Sequence, residues 1–267
     1  MSYWQDKIVV VTGGSSGLGR VIAEAFGKAG AKTAIVALER GDVHRAADEM
    51  TEIGIETFPL CADITKQDEV DRTFTEIVRH YGRIDVLVNN AGRSMRGQVL
   101  ETTPEQFQSL FDLNVLGTIR CVQAAVPHLL VTHGHIVNIG SLAAKSASRW
   151  LGAYPVSKFG VTAFSQQLRL ELGPKGVHTL LVCPGPIHRD SERLYRLEGS
   201  AGVPEYALQP GAGVKVGKID PQRLATLILK ACERRKPELI VPAKAKLLFA
   251  VTQLWPALGD WLVMRNT

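Results

Sequence analysis

The sequence predicts one α/β domain over residues 1–267, built on a doubly wound parallel sheet with helices on both faces. Short apolar runs rich in Val and Ile alternate with helical patterns of 10–15 residues. Continuously apolar strands are typical of a parallel sheet that is buried on both sides. Right-handed crossovers wind such a sheet in both directions, and ligands then bind beyond the carboxyl ends of its strands.

Each predicted element is marked by its apolar pattern and by the residues that close it. Strands are apolar runs closed by Gly, Pro or Thr, and helices carry apolar residues at i, i+3, i+4 and i+7. The predicted strands cover 8–11, 33–37, 56–61, 84–88, 136–139 and 179–183, and the predicted helices cover 18–30, 43–53, 70–78, 106–130 and 154–172.

Residues 186–218 break this alternation, because Pro, Gly, Ser and charged residues dominate there. An irregular stretch of this length in a compact domain is usually a functional lid or a disordered loop. We predict that it is a substrate lid.

Composition excludes several classes of protein. With 45% hydrophobic residues and a net charge of +5, the chain is not intrinsically disordered. It has neither 18 consecutive apolar residues nor an apolar signal core at its start, so we expect a cytoplasmic protein without a membrane-spanning helix. The four cysteines lack metal-ligand spacing, and His133-Gly134-His135 is predicted to be a turn, so no metal site is expected. The basic residues come without a nucleic-acid recognition motif.

A glycine-rich turn, Thr12-Gly13-Gly14-Ser15-Ser16-Gly17-Leu18-Gly19, joins the first strand to the first helix. Gly13 permits a tight turn, Gly17 lets the backbone approach a pyrophosphate, and Gly19 lets the helix pack close to the sheet. The same spacing alone could be a simple strand–helix turn. With a strand before it and a helix after it, it predicts a Rossmann-type dinucleotide site in which Ser15, Ser16 and Leu18 also contact the cofactor.

Further motifs follow the turn in a fixed order: Asp63, Asn89-Asn90-Ala91-Gly92, Asn114, Ser141 and Tyr154-x-x-x-Lys158. Together they resemble the short-chain dehydrogenase/reductase family over about residues 6–240. The resemblance implies that Asp63 and Ile64 contact adenine, that Asn90, Ala91 and Gly92 line the adenosine pocket, and that Asn89 braces the strands.

The predicted chemistry centres on Tyr154 and Lys158, which stand four residues apart and share a helix face. Lowering the pKa of a phenol from ~10 by two to three units takes ~3–4 kcal/mol. One ammonium at ~4 Å in an effective dielectric of ~20 supplies about that much. Taken alone, such a pair is usually two surface neighbours, and only the ordered motifs favour a catalytic interpretation.

The resemblance implies a role for each residue of this group. Tyr154 exchanges a proton with the substrate, and Ser141 holds the substrate oxygen. Lys158 binds the ribose and lowers the pKa of the phenol, while Asn114 holds a water in a proton relay behind it. Hydride passes between the nicotinamide and the substrate carbon.

The choice of cofactor depends on Ala37-Leu38-Glu39-Arg40, which follows the second strand. An acidic residue there would bind the ribose and repel a 2′-phosphate. By the family pattern the selecting positions hold Ala37 and Leu38, so neither selector is present. Arg40, helped by Ser15, could bind a phosphate, whereas Glu39 could instead bind a ribose. We favour NADP(H) over NAD(H).

The segment Pro184-Gly185-Pro186-Ile187 resembles the family's segment whose backbone holds the nicotinamide carboxamide, so we expect cofactor contacts at Pro184, Gly185 and Ile187. Arg189 stands where the family commonly has Thr, which departs from the pattern. His188 and Arg189 either face an acidic group of the substrate or are exposed lid residues.

Residues 243–267 form an extension with a predicted amphipathic stripe: Leu247, Leu248, Val251, Leu254 and Trp255. A basic segment precedes it, with nine Lys/Arg and three acids between residues 215 and 246. Such an arrangement can lie on an anionic membrane, or the stripe can pack on the chain's own lid or across a dimer.

This extension resembles the branch of the family that contains 11β-hydroxysteroid dehydrogenases and 3-ketodihydrosphingosine reductases. The resemblance implies ketone–alcohol interconversion on a lipophilic substrate, such as a steroid or a long-chain keto compound. A 3-oxoacyl carrier-protein reductase and a non-catalytic dinucleotide-binding regulatory protein are the alternatives. The resemblance to the family further implies a homodimer or homotetramer, formed through helices around 114–130 and 154–172.

Overall fold

The computed structural model describes residues 2–188, 202–209, 211 and 216–266. The strands are β1 (Ile8–Thr12), β2 (Lys32–Ala37), β3 (Thr57–Cys61), β4 (Val86–Asn89), β5 (His135–Ile139), β6 (His178–Pro184) and β7 (Glu238–Val241). The α-helices are α1 (Gly17–Lys28), α2 (Arg40–Glu52), α3 (Gln67–Tyr81), α4 (Pro104–Phe111), α5 (Gly117–Thr132), α6 (Tyr154–Leu172), α7 (Pro221–Glu233), α8 (Ala245–Leu254) and α9 (Pro256–Asn266).

All seven strands pair in parallel, in the order β3-β2-β1-β4-β5-β6-β7. The direction in which successive strands are added reverses between β1 and β4. A crevice opens at such a switch point, beyond the carboxyl ends of the two strands. The prediction of a doubly wound parallel sheet is confirmed.

Each face of the sheet is covered by helices, which explains the continuously apolar strands. Successive residues of β1 alternate between the two layers. Val9 and Val11 belong to a core cluster that includes Phe26 of α1, while Val10 belongs to a second cluster that includes Phe74 of α3. Because both faces are buried, no polar position is needed within the strand.

The predicted bounds differ from the observed ones by up to three residues, and two of the differences bear on the site. The second helix begins at Arg40 rather than at residue 43, because Glu39 is the extended N-cap residue. The predicted helix over 106–130 is instead α4, a π-helix at Asp112–Leu116 and α5. The π-helix matters for the site, because residue 114 lies in it.

A chain of hydrogen bonds crosses the amino ends of β5 and β6. The His135 and His178 Nδ1 atoms are 2.9 Å apart, the hydroxyl of Tyr3 is 2.8 Å from His135 Nε2, and His178 Nε2 is 2.7 Å from the carbonyl oxygen of Lys236. Burial lowers the pKa of both imidazoles, to about 3 for His135, so both are neutral near pH 7. Because the Lys236 carbonyl can only accept, neutral His178 carries its proton on Nε2, His135 Nδ1 then donates to His178 Nδ1, and Tyr3 donates to His135 Nε2.

The prediction that residues 133–135 form a turn is wrong for His135, which is buried in β5. It was misassigned because its partners lie far away in the sequence. With His178 and Cys232 it forms one cluster of potential ligand atoms, all within 4.8 Å of one another. Every imidazole nitrogen of that cluster already has a hydrogen-bond partner.

The run of helix over residues 104–132 is, by length and composition, the one described stretch apolar enough to cross a membrane. Polar residues interrupt its apolar residues, so it contains no run of 18 consecutive apolar residues. Leu110, Val122 and Leu129 within it are buried in the core, and a core helix passes the same test.

Candidate active site

The glycine-rich turn lies at the switch point and fits an anionic ligand. Gly13 and Gly17 have φ of 64° and 52°, a conformation that favours glycine. A Cβ on Gly19 would lie 2.1 Å from the carbonyl oxygen of Gly13, whereas a Cβ on Gly17 would meet nothing within 4 Å. The turn is therefore tightly packed at Gly19 and leaves open space beside Gly17.

The amino end of α1 completes this cradle. Among the described residues, its N-cap Ser16 makes no side-chain capping bond and its first turn contains no acidic residue. Its N–H groups and positive dipole end therefore suit a pyrophosphate. Ser15 and Ser16 lie on the turn, while the side chain of Leu18 packs against the core, so only the backbone of Leu18 can contact a ligand.

Hydrogen bonds hold the residues that follow β4 against the glycine-rich turn. Thr12 Oγ1 accepts hydrogen bonds from the N–H groups of Asn90 and Ala91, each at 3.1 Å, and Asn90 Nδ2 donates to the carbonyl oxygens of Thr12 and Gly13. The resemblance places Asn90 in the adenosine pocket, which stays a prediction, and its side-chain amide nitrogen also holds the phosphate turn. Asn89 Nδ2 donates to Asn138 Oδ1 at 2.9 Å, so it braces the strands as expected.

Asp63 follows β3, where the adenine is expected. Its Oδ1 accepts hydrogen bonds from the N–H and hydroxyl of Thr65 at 2.9 and 2.7 Å. Burial alone would raise the pKa of Asp63, but these bonds and the charge of Lys66 hold it below the ordinary value. The side chain of Ile64 is buried in the core beneath Gly117, so only the backbone of Ile64 can face adenine.

The residues predicted to select the cofactor lie at the carboxyl end of β2. Leu38, Glu39 and Arg40 are all exposed, and Arg40 is the first residue of α2. Within the described part of the chain, the ion-paired cation of α2 is Arg45, with Asp42, and neither Glu39 nor Arg40 has an ionic partner. Both side chains are therefore available to a ligand.

Asn114 sits at the centre of the π-helix, a local irregularity that often marks a functional site. Its Nδ2 donates to the carbonyl oxygen of Arg93 and to Ser157 Oγ, both at 3.0 Å, and its Oδ1 accepts from the Arg93 N–H. A Cβ on Gly92 would lie 2.8 Å from Asn114 Oδ1 and 3.8 Å from Lys158 Nζ. The absence of a Cβ at Gly92 therefore leaves room for the side chains of Asn114 and Lys158.

Ser141 comes two residues after the end of β5. It is the N-cap of a short 3₁₀ helix, Leu142–Ala144, and its Oγ accepts a hydrogen bond from the Ala143 N–H at 3.1 Å. The bond fixes the hydroxyl oxygen and leaves its hydrogen free to be donated.

Tyr154 begins α6, and Lys158 follows one turn later, in the helix bounds that the sequence predicts. Lys158 Nζ lies 5.9 Å from the centroid of the Tyr154 ring and donates to the carbonyl oxygen of Ile139 at 2.8 Å. Burial lowers the pKa of Lys158 to about 8, although Cys183 counteracts this. Pro155 lies in the first turn of the helix, where its missing N–H costs no helical bond.

The segment after β6 continues along the sheet. The Gly185 N–H donates to the carbonyl oxygen of Val241 at 2.8 Å, and Ile187 pairs with Ile219. Pro184 is the buried last residue of β6. His188 is described, whereas Arg189 lies outside the described residues, so its departure from the family pattern stays untested.

Arg96, in the loop after β4, is a buried cation that the sequence motifs do not single out. It is 2% exposed, and its guanidinium donates to the carbonyl oxygens of Met95, Ala207 and Gln209. The last two belong to the predicted lid, of which residues 205–208 form a 3₁₀ turn. Arg96 therefore links the loop after β4 to the lid, and the sequence held no signal for it beyond one charge near the Asn90 motif.

Comparisons with known proteins agree with this arrangement. Residues 7–197 match the short chain dehydrogenase family. The chain is 31% identical to dehydrogenase/reductase SDR family member 7B of Danio rerio, over 95% of this chain and 83% of the relative. It is also 30% identical to the probable oxidoreductase EphD of Mycobacterium tuberculosis, over 95% of this chain, and it spans only 44% of that relative's length.

Solved structures share the fold. A short-chain dehydrogenase from Streptomyces avermitilis matches with 28% identity and a TM-score of 0.79, over 98% of this chain and 99% of the other. A short chain dehydrogenase/reductase from Burkholderia phymatum in complex with NAD matches with 23% identity and a TM-score of 0.82, over 95% and 96% of the two chains.

The chain belongs to the short-chain dehydrogenase family. Members of this family are NAD(P)-dependent oxidoreductases that act on CH–OH groups.

Proposed function

We propose that this chain interconverts a ketone and a secondary alcohol with NAD(P)(H), and that Ser141, Tyr154 and Lys158 carry the reaction. The observation that supports this most is the buried ammonium of Lys158 at 5.9 Å from the ring of Tyr154. A positive charge about 4–6 Å from a phenolate oxygen, in an effective dielectric of ~20, stabilises the phenolate by about 3–4 kcal/mol.

In the proposed mechanism, the bound nicotinamide supplies or accepts the hydride at the substrate carbon. In the reducing direction the Ser141 hydroxyl donates a hydrogen bond to the ketone oxygen and orients it. Tyr154 gives its phenolic proton to that oxygen as the alcohol forms, and the charge of Lys158 stabilises the phenolate left behind. Asn114 holds a water through which the proton is replaced, and Lys158 also binds the ribose.

The proposed cofactor site uses the cradle of Gly13, Gly17 and Gly19 with Ser15, Ser16 and the backbone of Leu18 for the pyrophosphate. Asp63, the backbone of Ile64, and Ala91 with Gly92 are proposed to contact the adenosine. The backbone from Pro184 to Ile187 is proposed to hold the carboxamide.

We further propose that NADP(H) is preferred, because Arg40 is exposed without an ionic partner among the described residues while Ala37 and Leu38 supply no carboxylate. Arg40→Ala should weaken NADPH binding at least about tenfold and leave NADH binding unchanged, since only NADPH carries the 2′-phosphate. Arg45→Ala is the matched control, because Arg45 is paired with Asp42. Equal losses for both cofactors, or none, would contradict the preference.

The proposed substrate is lipophilic, a steroid or a long-chain keto compound. Met95, Ala143 and Leu151 pack around Tyr154 and give the reacting centre an apolar wall. Residues 186–218 are proposed to form a lid that covers the bound substrate. A 3-oxoacyl carrier-protein reductase is the alternative within the same chemistry.

The decisive experiment measures NADPH oxidation with a panel of steroid, long-chain and thioester ketones. Tyr154→Phe should lower turnover by about 10²–10⁴-fold, the usual worth of a general acid, without loss of NADPH binding. Tyr81→Phe is the matched control, because Tyr81 ends α3 and its hydroxyl donates to the carbonyl oxygen of Thr33 near the amino end of β2, away from the reacting groups. Tight NADPH binding without turnover of any ketone would instead favour the non-catalytic regulatory protein.

A homodimer or homotetramer is proposed through the helices around 114–130 and 154–172, which are the end of the π-helix, α5 and α6, with α4 beside them. Phe111, Leu116, Val156 and Phe159 are exposed on these helices, and a groove of about 640 Å³ runs between them. Light scattering should give a mass above 29.1 kDa, and Phe159→Glu should lower it. A cytoplasmic location is proposed from the four free cysteines.

A further inference from the structure

The C-terminal extension folds as a helical hairpin, α8 and α9, which turns at Trp255-Pro256. The two helices cross where Gly259 meets Thr252, because a Cβ on Gly259 would lie 2.6 Å from the Thr252 Cα. The predicted stripe from Leu247 to Trp255 lies on α8 and its C-cap residue, and α9 adds a second short helix after it.

One side of the hairpin is anchored to the body of the domain. Phe249, which the predicted stripe omitted, is 8% exposed and packs in a cluster with Ala144, Cys183 and Ile240. These residues lie beside Ser141 and at the carboxyl ends of β6 and β7. The anchor therefore fixes the hairpin next to the candidate active site.

The opposite side of the hairpin is apolar and exposed. At 100° per residue, Leu247 and Leu254 point away from Phe249, and Trp261 and Met264 point away from Gly259. Six large apolar side chains here are 48–73% exposed: Leu247, Leu254, Trp255, Leu258, Trp261 and Met264. Single exposed apolar residues are ordinary, but six of them on two adjacent short helices indicate an interaction surface.

The charges around this surface identify the partner. Lys244, Lys246 and Arg265 are exposed, and the single acid in the sequence from 243 to 267 is Asp260. The Arg265 guanidinium lies 5.3 Å from the Trp261 ring centroid. Basic residues next to exposed Trp and Leu suit the interface of an anionic membrane, where Trp occupies the headgroup level and cations meet the lipid phosphates.

The lengths of α8 and α9 determine whether these helices can cross a bilayer or only lie at its surface. α8 has 10 residues and α9 has 11, which gives each about 15–17 Å at 1.5 Å per residue. A bilayer core is about 30 Å thick, so neither helix can cross it. They are suited to lie in the interface.

We propose that the α8–α9 hairpin binds the surface of anionic membranes through these six apolar residues and their flanking cations. The proposal does not depend on the proposed reaction, because it concerns a surface outside the reacting groups.

The test is sedimentation of the full chain with vesicles of phosphatidylcholine containing about one third phosphatidylserine, and with vesicles of phosphatidylcholine alone. The protein should bind the anionic vesicles more tightly, with a blue shift of Trp emission. The double variant Leu254→Glu/Trp261→Glu should lose at least about tenfold in vesicle binding, and Lys244→Gln/Lys246→Gln should lose the preference for anionic lipid. Ile53→Glu, a change at an exposed apolar residue of another surface, should bind as the unaltered protein does.

Melting temperature and NADPH binding keep the test independent of folding and of the reaction, since all variants should match the unaltered protein in both. Absence of binding to anionic vesicles, or equal binding by Leu254→Glu/Trp261→Glu, would overturn the proposal. If the unaltered protein does not bind vesicles and the same double variant has a lower mass in solution, the surface is a contact between copies of the chain, and the membrane proposal fails.

Discussion

Lys158 and Ile139 are joined by a 2.8 Å hydrogen bond from the ammonium Nζ to the backbone carbonyl oxygen. Ile139 is the last residue of β5, so the sheet itself fixes the position of the lysine. Lys158 is only 7% exposed, and burial lowers its pKa to about 8. The side chain is thus firmly placed but holds its proton weakly.

The first prediction concerns the pH dependence of ketone reduction. Lys158 is charged below about pH 8 and neutral above it, so stabilisation of the Tyr154 phenolate is lost as pH rises. We expect kcat/KM for reduction to fall above about pH 8, because this parameter reports the free enzyme. Lys158→Arg keeps its charge to pH values above about 12, so the part of the decline that is due to Lys158 should disappear and any remaining decline reports loss of the Tyr154 proton. A decline at the same pH in Lys158→Arg would assign it to another group.

The second prediction concerns Asn114 as a positioning residue. Its Nδ2 connects the Arg93 carbonyl to Ser157 Oγ, which in turn donates to the Tyr154 carbonyl at 2.8 Å. Asn114→Ala removes this connection and should lower kcat about 10–100-fold, with the KM for substrate little changed. Thr118→Val is the control, since it removes only the hydroxyl that donates to the Asn114 carbonyl. Equal changes of kcat in the two variants would reduce the role of Asn114 to helix stability.

The sequence was sufficient for the parts of the site that depend on local chain geometry. The bounds of α6 agree because Pro155 can stand only in the first turn and Gly173 follows the last apolar residue. The glycine turn could be placed because positive φ and close packing leave few alternatives to glycine. Both features are written in neighbouring residues.

The parts that were missed depend on partners distant in the sequence. The π-helix around Asn114 has no repeating apolar pattern of its own in the sequence. Arg96 is buried only because the carbonyl oxygens of Ala207 and Gln209, in the predicted lid, accept hydrogen bonds from it. His135 was misassigned for the same reason, since its partner His178 lies on the next strand. Phe249 was left out of the predicted stripe because the sequence does not show which face of α8 packs against the body of the domain.

The third prediction concerns Arg96 and the lid. Arg96→Met removes the donors to Ala207 and Gln209, so the described part of the lid loses its link to the loop after β4. We expect the KM for substrate to rise at least about fivefold while the Kd for NADPH is unchanged, since each lost bond to a charged donor costs about 1.5–3 kcal/mol of lid stability. Arg93→Met is the matched control, because its side chain is exposed. A parallel loss of NADPH binding in Arg96→Met would indicate general unfolding instead.

The fourth prediction separates two glycines. A Cβ on Gly19 would overlap the Gly13 carbonyl oxygen, whereas one on Gly173 would meet nothing within 4 Å. Gly19→Ala should therefore distort the turn and weaken NADPH binding, with a stability loss of about 1–3 kcal/mol. Gly173→Ala should leave binding unchanged and stability equal or higher. Calorimetric titration and denaturant unfolding measure both, and intact binding in Gly19→Ala would refute the role given to the turn.

The fifth prediction concerns acid stability and the His135–His178 pair. Burial, followed by the charges of His178 and Arg235, lowers the pKa of His135 to about 3, and burial also lowers the pKa of His178. A folded-state pKa below the unfolded value of about 6.5 means that the unfolded chain binds protons more readily. The contribution is therefore complete above about pH 6.5 and is lost progressively as pH falls toward 3. The free energy of unfolding in urea should drop more steeply between about pH 6.5 and 5 in the unaltered protein than in His135→Leu/His178→Leu, at up to about 1.4 kcal/mol per pH unit for each imidazole. His44→Asn, at an exposed position of α2, should keep the steep slope. An unchanged slope in the double variant would show that carboxylates elsewhere govern the acid transition, because removing both imidazoles would then have removed no proton uptake.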